Sequence, residues 1–522
     1  MPHDRRMEQT KEQPESSLSP PSGVRFLNEL CLVGFLLVMA LGLRIWHYST
    51  TEVPSRDTLY YIRMAWNMAN GRGIEAIRSA EQHPGYPLVV SAVDGLVGPL
   101  ITGSLAERYQ RSAQISSILA SLLLVPVAYC LSRQMFSPWG AFVGVVFLQI
   151  LPATGRLFAD GLTEPLFLLL VMSTVLLGYV ALRGSVWWHF ALCGLMGGMA
   201  YLVRPEGALF PVCVGLILVF RRISQGAGPW FPQAAALAIS FLVLAAPFVA
   251  VVGKLTSKPT ANRVLTADQV VAPLPPGTPL LGSWFTSSSH GMGREAWAFW
   301  IFFGMLARGT LFVLWLPAFL ALVFCRNAIW SQPGTWALAL ACTLLEFLLQ
   351  RVAATMGYLS DRHMVIVIAM AAIMAGGGLI VFAERFSGWR RLALACLLVI
   401  PVSAVGLYRT AEPLHTNRDG FRQAGLWLAG NVPIGDEVQD PFCWTHFYAG
   451  RIFLESETRG LPISHPMRKF VVVDRSASKH ERLPIIPEET LKKQGGKPVF
   501  IYESKKRKSG EAVVVYEVPV KS

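Results

Sequence analysis

Long apolar runs recur along this chain, separated by short polar stretches. Runs near the 20 or so residues a helix needs to cross hydrocarbon fall at roughly 26–47, 111–132, 138–156, 162–182, 186–203, 207–221, 233–252, 302–325, 335–354, 363–383 and 391–408. Backbone groups in lipid must find partners within their own segment, so this pattern predicts about eleven membrane-spanning helices. The stretch 84–100 is apolar too, yet prolines, glycines and Asp94 interrupt it, and it reads as an interfacial helix. Span edges are least sharply marked around Pro211 and across 297–325.

Beyond residue 410 the period changes. Phe421, Leu426 and Leu428 sit among polar neighbours in 419–430, a short amphipathic helix. The runs 469–474 (K-F-V-V-V-D), 498–502 (P-V-F-I-Y) and 512–518 (A-V-V-V-Y-E-V) have the length and β-branched content of strands. The expected fold is an all-α polytopic membrane domain over 25–409 with a small C-terminal α/β domain over 410–522. Residues 1–24 are polar, with proline, serine and mixed charge, and read as a disordered tail. No small-residue cleavage pattern follows the first apolar run at H-Y-S-T-T-E, so that run reads as a retained anchor.

Composition agrees: 53% of the 522 residues are hydrophobic and 15% charged, against about a quarter charged in soluble domains, and the mean hydropathy is +0.44. The net charge of +13 gains meaning from its placement. Arg5, Arg6, Lys11 and Arg25 precede the first span, and alternate short loops carry Arg133, Arg183, Arg221 with Arg222, Arg326, and Arg385 with Arg390 and Arg391. Positive short loops favour the cytoplasm. An odd span count then puts the first long loop, 48–110, and the C-terminus outside, as in a bacterial inner-membrane protein. The basic run Lys505, Lys506, Arg507 and Lys508 falls in that outer tail and reads as a solvated surface, with no nucleic-acid partner implied. Seven of eight cysteines fall in predicted spans, leaving Cys443 outside, which excludes a disulfide framework; no C-x-x-C zinc pattern occurs.

Candidate chemistry gathers at the outer span ends. The first outer loop reads R-D-T-L-Y-Y-I-R-M-A-W-N-M-A-N-G-R-G, then H-P-G-Y-P, and carries Asp57, Tyr60, Tyr61, Arg63 and His83. A helix is predicted over 57–70, with Leu59, Ile62, Trp66 and Ala69 as an apolar stripe suited to a membrane surface. Asp57 stands where an N-cap is expected, so a capping role and a chemical role both fit it. Three further sets share this side: Asp160 and Glu164 in F-A-D-G-L-T-E-P, Arg204 and Glu206 in Y-L-V-R-P-E-G, and Asp361, Arg362 and His363 in Y-L-S-D-R-H-M. Ionisable groups at membrane depth are costly and often functional, although a lone span-end arginine can simply snorkel.

These pieces, in this order, resemble the polytopic glycosyltransferases of the GT-C fold. The similarity is to the mannosyltransferase-like families that include protein O-mannosyltransferases, aminoarabinose transferases and rhizobial lipopolysaccharide transferases. It covers about residues 26–410, with L-T-E-P-L-F, Y-L-V-R-P-E-G-A-L and S-D-R-H-M-V-I-V-I-A-M as its later pieces. The resemblance implies a sugar donor on a polyprenyl phosphate, used at the outer face with inversion, and an essential first-loop acid, by position Asp57. Many relatives have two adjacent acids where this chain has Arg56-Asp57-Thr58, and an arginine-tyrosine pair where it has Arg362-His363. A divalent metal is left open, since one carboxylate is a poor hard-cation site unless Asp160 or Glu164 joins it.

Chemistry assigns roles along the same lines. A carboxylate can activate an acceptor hydroxyl, making Asp57 the candidate base. Arginine suits a leaving phosphate by charge and fork geometry, making Arg204 and Arg362 the candidate phosphate binders. Asp160, Glu164, His83, Tyr61, Glu206 and His363 remain as groups that could position the acceptor or a metal. The acceptor could be lipid, glycan or protein. Two other readings stand beside the transferase: a transporter or flippase of lipid-linked glycans, which would place polar groups at mid-membrane depth, often in inverted repeats, and a non-catalytic envelope scaffold.

Overall fold

The computed structural model describes residues 22–225, 230–258, 261, 292–458, 468–475, 485–503 and 512–519. Most of the predicted tail and the basic run 505–508 lie outside the described residues; the first helix begins at Ser22.

Helix α1 (Ser22–Thr50) leads into the first loop, which folds as α2 (Arg56–Ala69), α3 (Gly73–Ser79) and α4 (Gly85–Val97). The bundle continues with α5 (Leu105–Ser132), α6 (Pro138–Ile150), the short α7 (Pro152–Gly155), α8 (Glu164–Gly184), α9 (Trp187–Val203), α10 (Leu209–Gln225) and α11 (Phe231–Val252). Then come α12 (Met292–Gly309), α13 (Trp315–Phe324), α14 (Arg326–Trp330), α15 (Pro333–Met356), α16 (Val365–Ala383) and α17 (Trp389–Thr410). Among the described residues, eight helices are long and apolar enough to cross a membrane, or nine if the bent pair Pro138–Ile150 and Pro152–Ala159 counts as one span.

The difference from eleven has local causes. The predicted span 186–203 is α9, only 17 residues long. The predicted span 302–325 is not one rod: Leu311 (φ 54°) and Phe312 (φ 62°) enter the left-handed region and break it between α12 and α13. Glu295 near the start of α12 pairs with Arg351, and Arg308 near its end lies 3.8 Å from Asp361. Both partners flank the junction of α15 and α16, so α12 lies across that end of the bundle.

Helix α16 forms the centre and α17 the periphery, with 78% and 6% of their apolar windows buried. The close packing of α16 on α6 depends on small residues, as in many membrane helix pairs. A Cβ at Gly376 would meet the Gly144 nitrogen at 2.1 Å. Helix α1 is pinned by Arg44, which is fully buried. Its guanidinium donates to Gly155 O at 3.2 Å and to Gln149 Oε1 at 2.5 Å, and it lies 4.8 Å from the Phe158 ring centre. The same helix is laced to the last one: Trp46 Nε1 donates to Ala411 O and His47 Nε2 to Thr410 O, both at 2.7 Å.

Most of the apolar stripe of α2 does not face lipid. Leu59, Ile62 and Trp66 are buried while Ala69 is exposed, and Trp66 meets Phe453 edge-on at 5.7 Å. What Trp66 packs against there is the C-terminal domain, built from α18 (Asp419–Asn431), β1 (Glu437–Gln439), α19 (Trp444–Tyr448), α20 (Arg451–Thr458), β2 (Lys469–Asp474), α21 (Glu488–Lys493), β3 (Lys497–Glu503) and β4 (Ala512–Val518). Its sheet has the order β1-β2-β4-β3, with β1 and β2 parallel and the other pairs antiparallel. Alternation along β4 buries both faces: Val513 and Val515 join the cluster containing Phe421 of α18, and Val514 and Tyr516 join the one containing Leu491 of α21.

Candidate functional site

Four elements bring charged groups together at one end of the bundle, and each has a local reason for where it points. Pro152 cannot extend α6, and the chain bends there by 63°. The turn that follows needs Gly161 at φ +71° and sets Glu164 in the first turn of α8. Arg204 precedes Pro205, which disfavours helical backbone. It sits at φ −150°, ψ 138°, so its side chain leaves α9 at the bundle end. Arg362 lies in the turn before α16. Asp57 is in the first turn of α2, but not as its cap: Ser55 occupies the N-cap position.

Glu164 is the hub. Its side chain has no exposed surface, and its Oε1 accepts from Arg204 Nη2 at 2.7 Å and from Arg362 Nε at 2.6 Å. The other end of the Arg362 fork, Nη1, pairs with the Oδ2 of Asp57. Arg204 Nε also donates to Thr163 Oγ1 at 3.2 Å. Burial works against the charge on Arg362, and Glu164 and Asp57 outweigh it, holding its pKa above the ordinary value. Tyr61 is buried alongside, edge-on to Tyr86 at 5.4 Å, and burial raises its pKa.

A second set adjoins the first. Glu206 lies 3.8 Å from Lys258, which follows α11, and burial lowers the Lys258 pKa against the pull of Glu206. His83 packs against Tyr201 and Phe248, with Nδ1 at 2.8 Å from Tyr201 O and Nε2 at 3.0 Å from Thr256 Oγ1. His363 Nδ1 is 2.9 Å from Ser360 Oγ. Burial lowers both histidines to about 4. His83 is thus held neutral, and its contribution to stability is complete above the ordinary pKa of about 6.5 and lost as pH falls towards 4. We expect thermal stability in detergent to drop over that window, by up to about 3 kcal/mol for this group. His83→Gln should flatten the decline; equal slopes for the two proteins would refute a buried neutral histidine.

The structure thus gathers Asp57, Glu164, Arg204 and Arg362 in direct contact, with Tyr61, Glu206 and His363 around them. Asp160 belongs elsewhere: its carboxylate accepts from His415 Nε2 and from the Ser55 backbone. Lys258 and His415 were not singled out in the sequence, because each stands in a polar loop without periodicity or motif. Among the described residues, no group of three or more His, Cys, Asp or Glu side chains could hold a metal ion. The acids of the site are each held by a cation instead, so the donor set does not fit a hard metal, and no step below runs through one.

An apolar cavity of about 660 Å³ opens between α12, α13, α15 and α16. Val367 and Met370, within three turns of Arg362, are among its lining, together with Trp330 and Met135, while no residue of the charged cluster lines it.

Known proteins share this architecture. A family profile described as dolichyl-phosphate-mannose-protein mannosyltransferase matches residues 100–253. No curated protein matches the sequence. Among solved structures, ArnT from Cupriavidus metallidurans bound to undecaprenyl phosphate is similar over 93% of this chain and 97% of its own, with TM-score 0.55 and 15% identity. The archaeal oligosaccharyltransferase AglB from Archaeoglobus fulgidus, in complex with an inhibitory peptide and a dolichol-phosphate, is similar over 87% of this chain and 70% of its own, with TM-score 0.57 and 12% identity. Its apo form gives TM-score 0.54 at 12% identity over 85% and 69%. The chain is an integral membrane protein with the GT-C glycosyltransferase fold.

Proposed function

We propose that this protein is a membrane glycosyltransferase that moves a sugar from a polyprenyl-phosphate donor to an acceptor, with inversion, at the bundle end carrying Asp57. The observation that carries this reading is the Asp57–Arg362–Glu164–Arg204 cluster at one end of a bundle that also holds an apolar cavity, lined by Val367 and Met370 of the helix that Arg362 precedes. A lipid phosphate is a charged head on a long apolar tail, and this pairing of arginines with an apolar groove suits both parts. The neighbours solved with undecaprenyl phosphate and dolichol-phosphate support the same donor class.

In this reading Arg362, Arg204 and Lys258 receive the phosphate and stabilise the charge that grows on it as the sugar leaves. The six charged groups balance before any ligand arrives: Asp57, Glu164 and Glu206 against Arg204, Arg362 and Lys258. An incoming phosphate must therefore displace an acid from an arginine. Glu164 is buried between two guanidiniums, whereas the Asp57 side chain is 54% exposed. Exposed ion pairs contribute only about 0–1 kcal/mol, so the Asp57 bond is the one that yields. Donor binding then frees Asp57 to take the proton of the acceptor hydroxyl as that oxygen attacks the sugar carbon and the phosphate leaves with the bonding electrons.

Glu164, Arg204 and Arg362 stand at helix ends rather than at mid-depth, which favours a surface reaction over transport. Arg133, Arg183, Arg222 and Arg391 sit at the opposite helix ends, supporting a cytoplasmic N-terminus and an extracytoplasmic site, as in a bacterial inner membrane. The test is to reconstitute the protein with polyprenyl-phosphate sugars and membrane acceptors and follow loss of sugar from the lipid. Release should occur with at least one donor. Flipping of the lipid across vesicles without release would replace this reading with the transporter.

A further inference from the structure

The turn that carries Asp57 is held from outside the bundle. Residues 411–418 connect α17 to the C-terminal domain, and His415 within them has φ +52°, a conformation that residues with a β-carbon adopt uncommonly. Its ring occupies a specific place. Nε2 lies 3.0 and 2.9 Å from the two carboxylate oxygens of Asp160, whose side chain is almost wholly buried.

Asp160 hands that constraint on. Its Oδ1 accepts from the Ser55 backbone N–H at 3.2 Å, and its carbonyl accepts from Thr58 Oγ1 at 3.0 Å. The hydroxyls of Ser55 and Thr58 are 2.8 Å apart. Asp57 sits between these two anchored residues. The segment just before them is gripped by the C-terminal domain as well: Trp444 Nε1 donates to Pro54 O at 2.9 Å and Tyr448 Oη to Glu52 O at 3.0 Å. A left-handed linker residue, a buried carboxylate spent on a backbone amide, and two aromatic side chains on the carbonyls of Glu52 and Pro54 all converge on one turn.

We propose that His415 is a positioning residue: acting through Asp160, it fixes the Ser55–Thr58 turn and with it the direction of the Asp57 carboxylate. The proposal rests on Asp57 as the base and gives the C-terminal domain a part in the chemistry, apart from any choice of acceptor. A base displaced by about 1 Å can lose a hundredfold in rate, so a hold at one remove from the reacting atoms has measurable consequences.

Two variants of the full-length protein separate the hydrogen bond from the backbone. His415→Gly accepts the positive φ without strain but removes the donor. His415→Gln keeps a β-carbon at that φ, as the wild-type residue does, and its amide nitrogen reaches where Nε2 stands, restoring an N–H towards Asp160. Amide exchange over residues 51–58 is measured by mass spectrometry in detergent, and kcat and KM are measured separately. With H415G, exchange over 51–58 should quicken by about tenfold or more, and kcat should fall by about ten- to a hundredfold with little change in donor KM. H415Q should return both towards wild type. Wild-type exchange in H415G, or H415Q as impaired as H415G, overturns the proposal. If the wild type transfers no sugar, the reading of Asp57 falls, while the exchange comparison still decides whether His415 holds the turn.

Discussion

Asp57→Asn is expected to stop sugar transfer while leaving lipid-phosphate binding unchanged or stronger. Asparagine fills the same space and keeps hydrogen-bonding capacity, but it cannot take a proton or hold a full charge against Arg362. Losing a general base typically costs about 10²–10⁴ in rate, and kcat should fall within that range. Binding moves the other way, because the exposed Asp57–Arg362 pair competes with the phosphate for one guanidinium. Removing that competitor releases at most about 1 kcal/mol, or roughly fivefold tighter binding of polyprenyl phosphate. The measurement is a titration of fluorescent polyprenyl phosphate beside a single-turnover transfer assay. Unchanged kcat would remove Asp57 from the chemistry, and weaker lipid binding would sink the exchange of partners at Arg362.

Glu164→Gln should produce the largest loss of stability. The wild-type carboxylate is wholly enclosed and carries two guanidiniums, Arg204 at 14% and Arg362 at 27% side-chain exposure. Gln keeps the shape and leaves both cations without their buried counter-charge. Breaking a buried pair by removing one partner costs about 3–5 kcal/mol; residual exposure of the arginines places the expectation near the lower end. Thermal unfolding in detergent measures it. Adding Arg204→Gln to E164Q should return part of the lost stability, because one stranded charge goes with it, but no activity. A single variant as stable as wild type would show that water compensates the site.

Much of the charged cluster was legible in the sequence as a candidate site. Asp57, Glu164, Arg204 and Arg362 stood out as ionisable residues beside apolar runs, where each is costly enough to need a reason. The pairing among them was not legible, because contacts between residues 57, 164, 204 and 362 depend on how helices pack. Asp57 read as a cap because aspartate caps well, but the helix starts one residue earlier and Ser55 takes the position. Asp160 read as a possible companion to a metal, and its engagement by His415 needed a linker that carries no pattern. Lys258 escaped for the same reason. For the fold, hydropathy located the spans but could not foresee the left-handed break at Leu311 and Phe312, since both residues are apolar and continue the run. The stripe on α2 was read correctly as one face of a helix. Its cover was not, because protein and lipid are both apolar and only the three-dimensional structure distinguishes them.

The lacing of the first helix to the last sets an order of events during synthesis. Trp46 and His47 find their partners at Ala411 and Thr410, 365 and 363 residues further on. At 5–20 residues per second, roughly 20–70 s pass between the two ends leaving the ribosome. Through that interval the end of the first helix waits in the membrane with its lacing partners not yet made. The segment before Asp57 waits longer still, since Trp444 is later again. A chain cut short anywhere before the C-terminal domain would therefore insert its early helices yet lack the contacts on Glu52 and Pro54, and the bundle end carrying Asp57 is the last part to be completed.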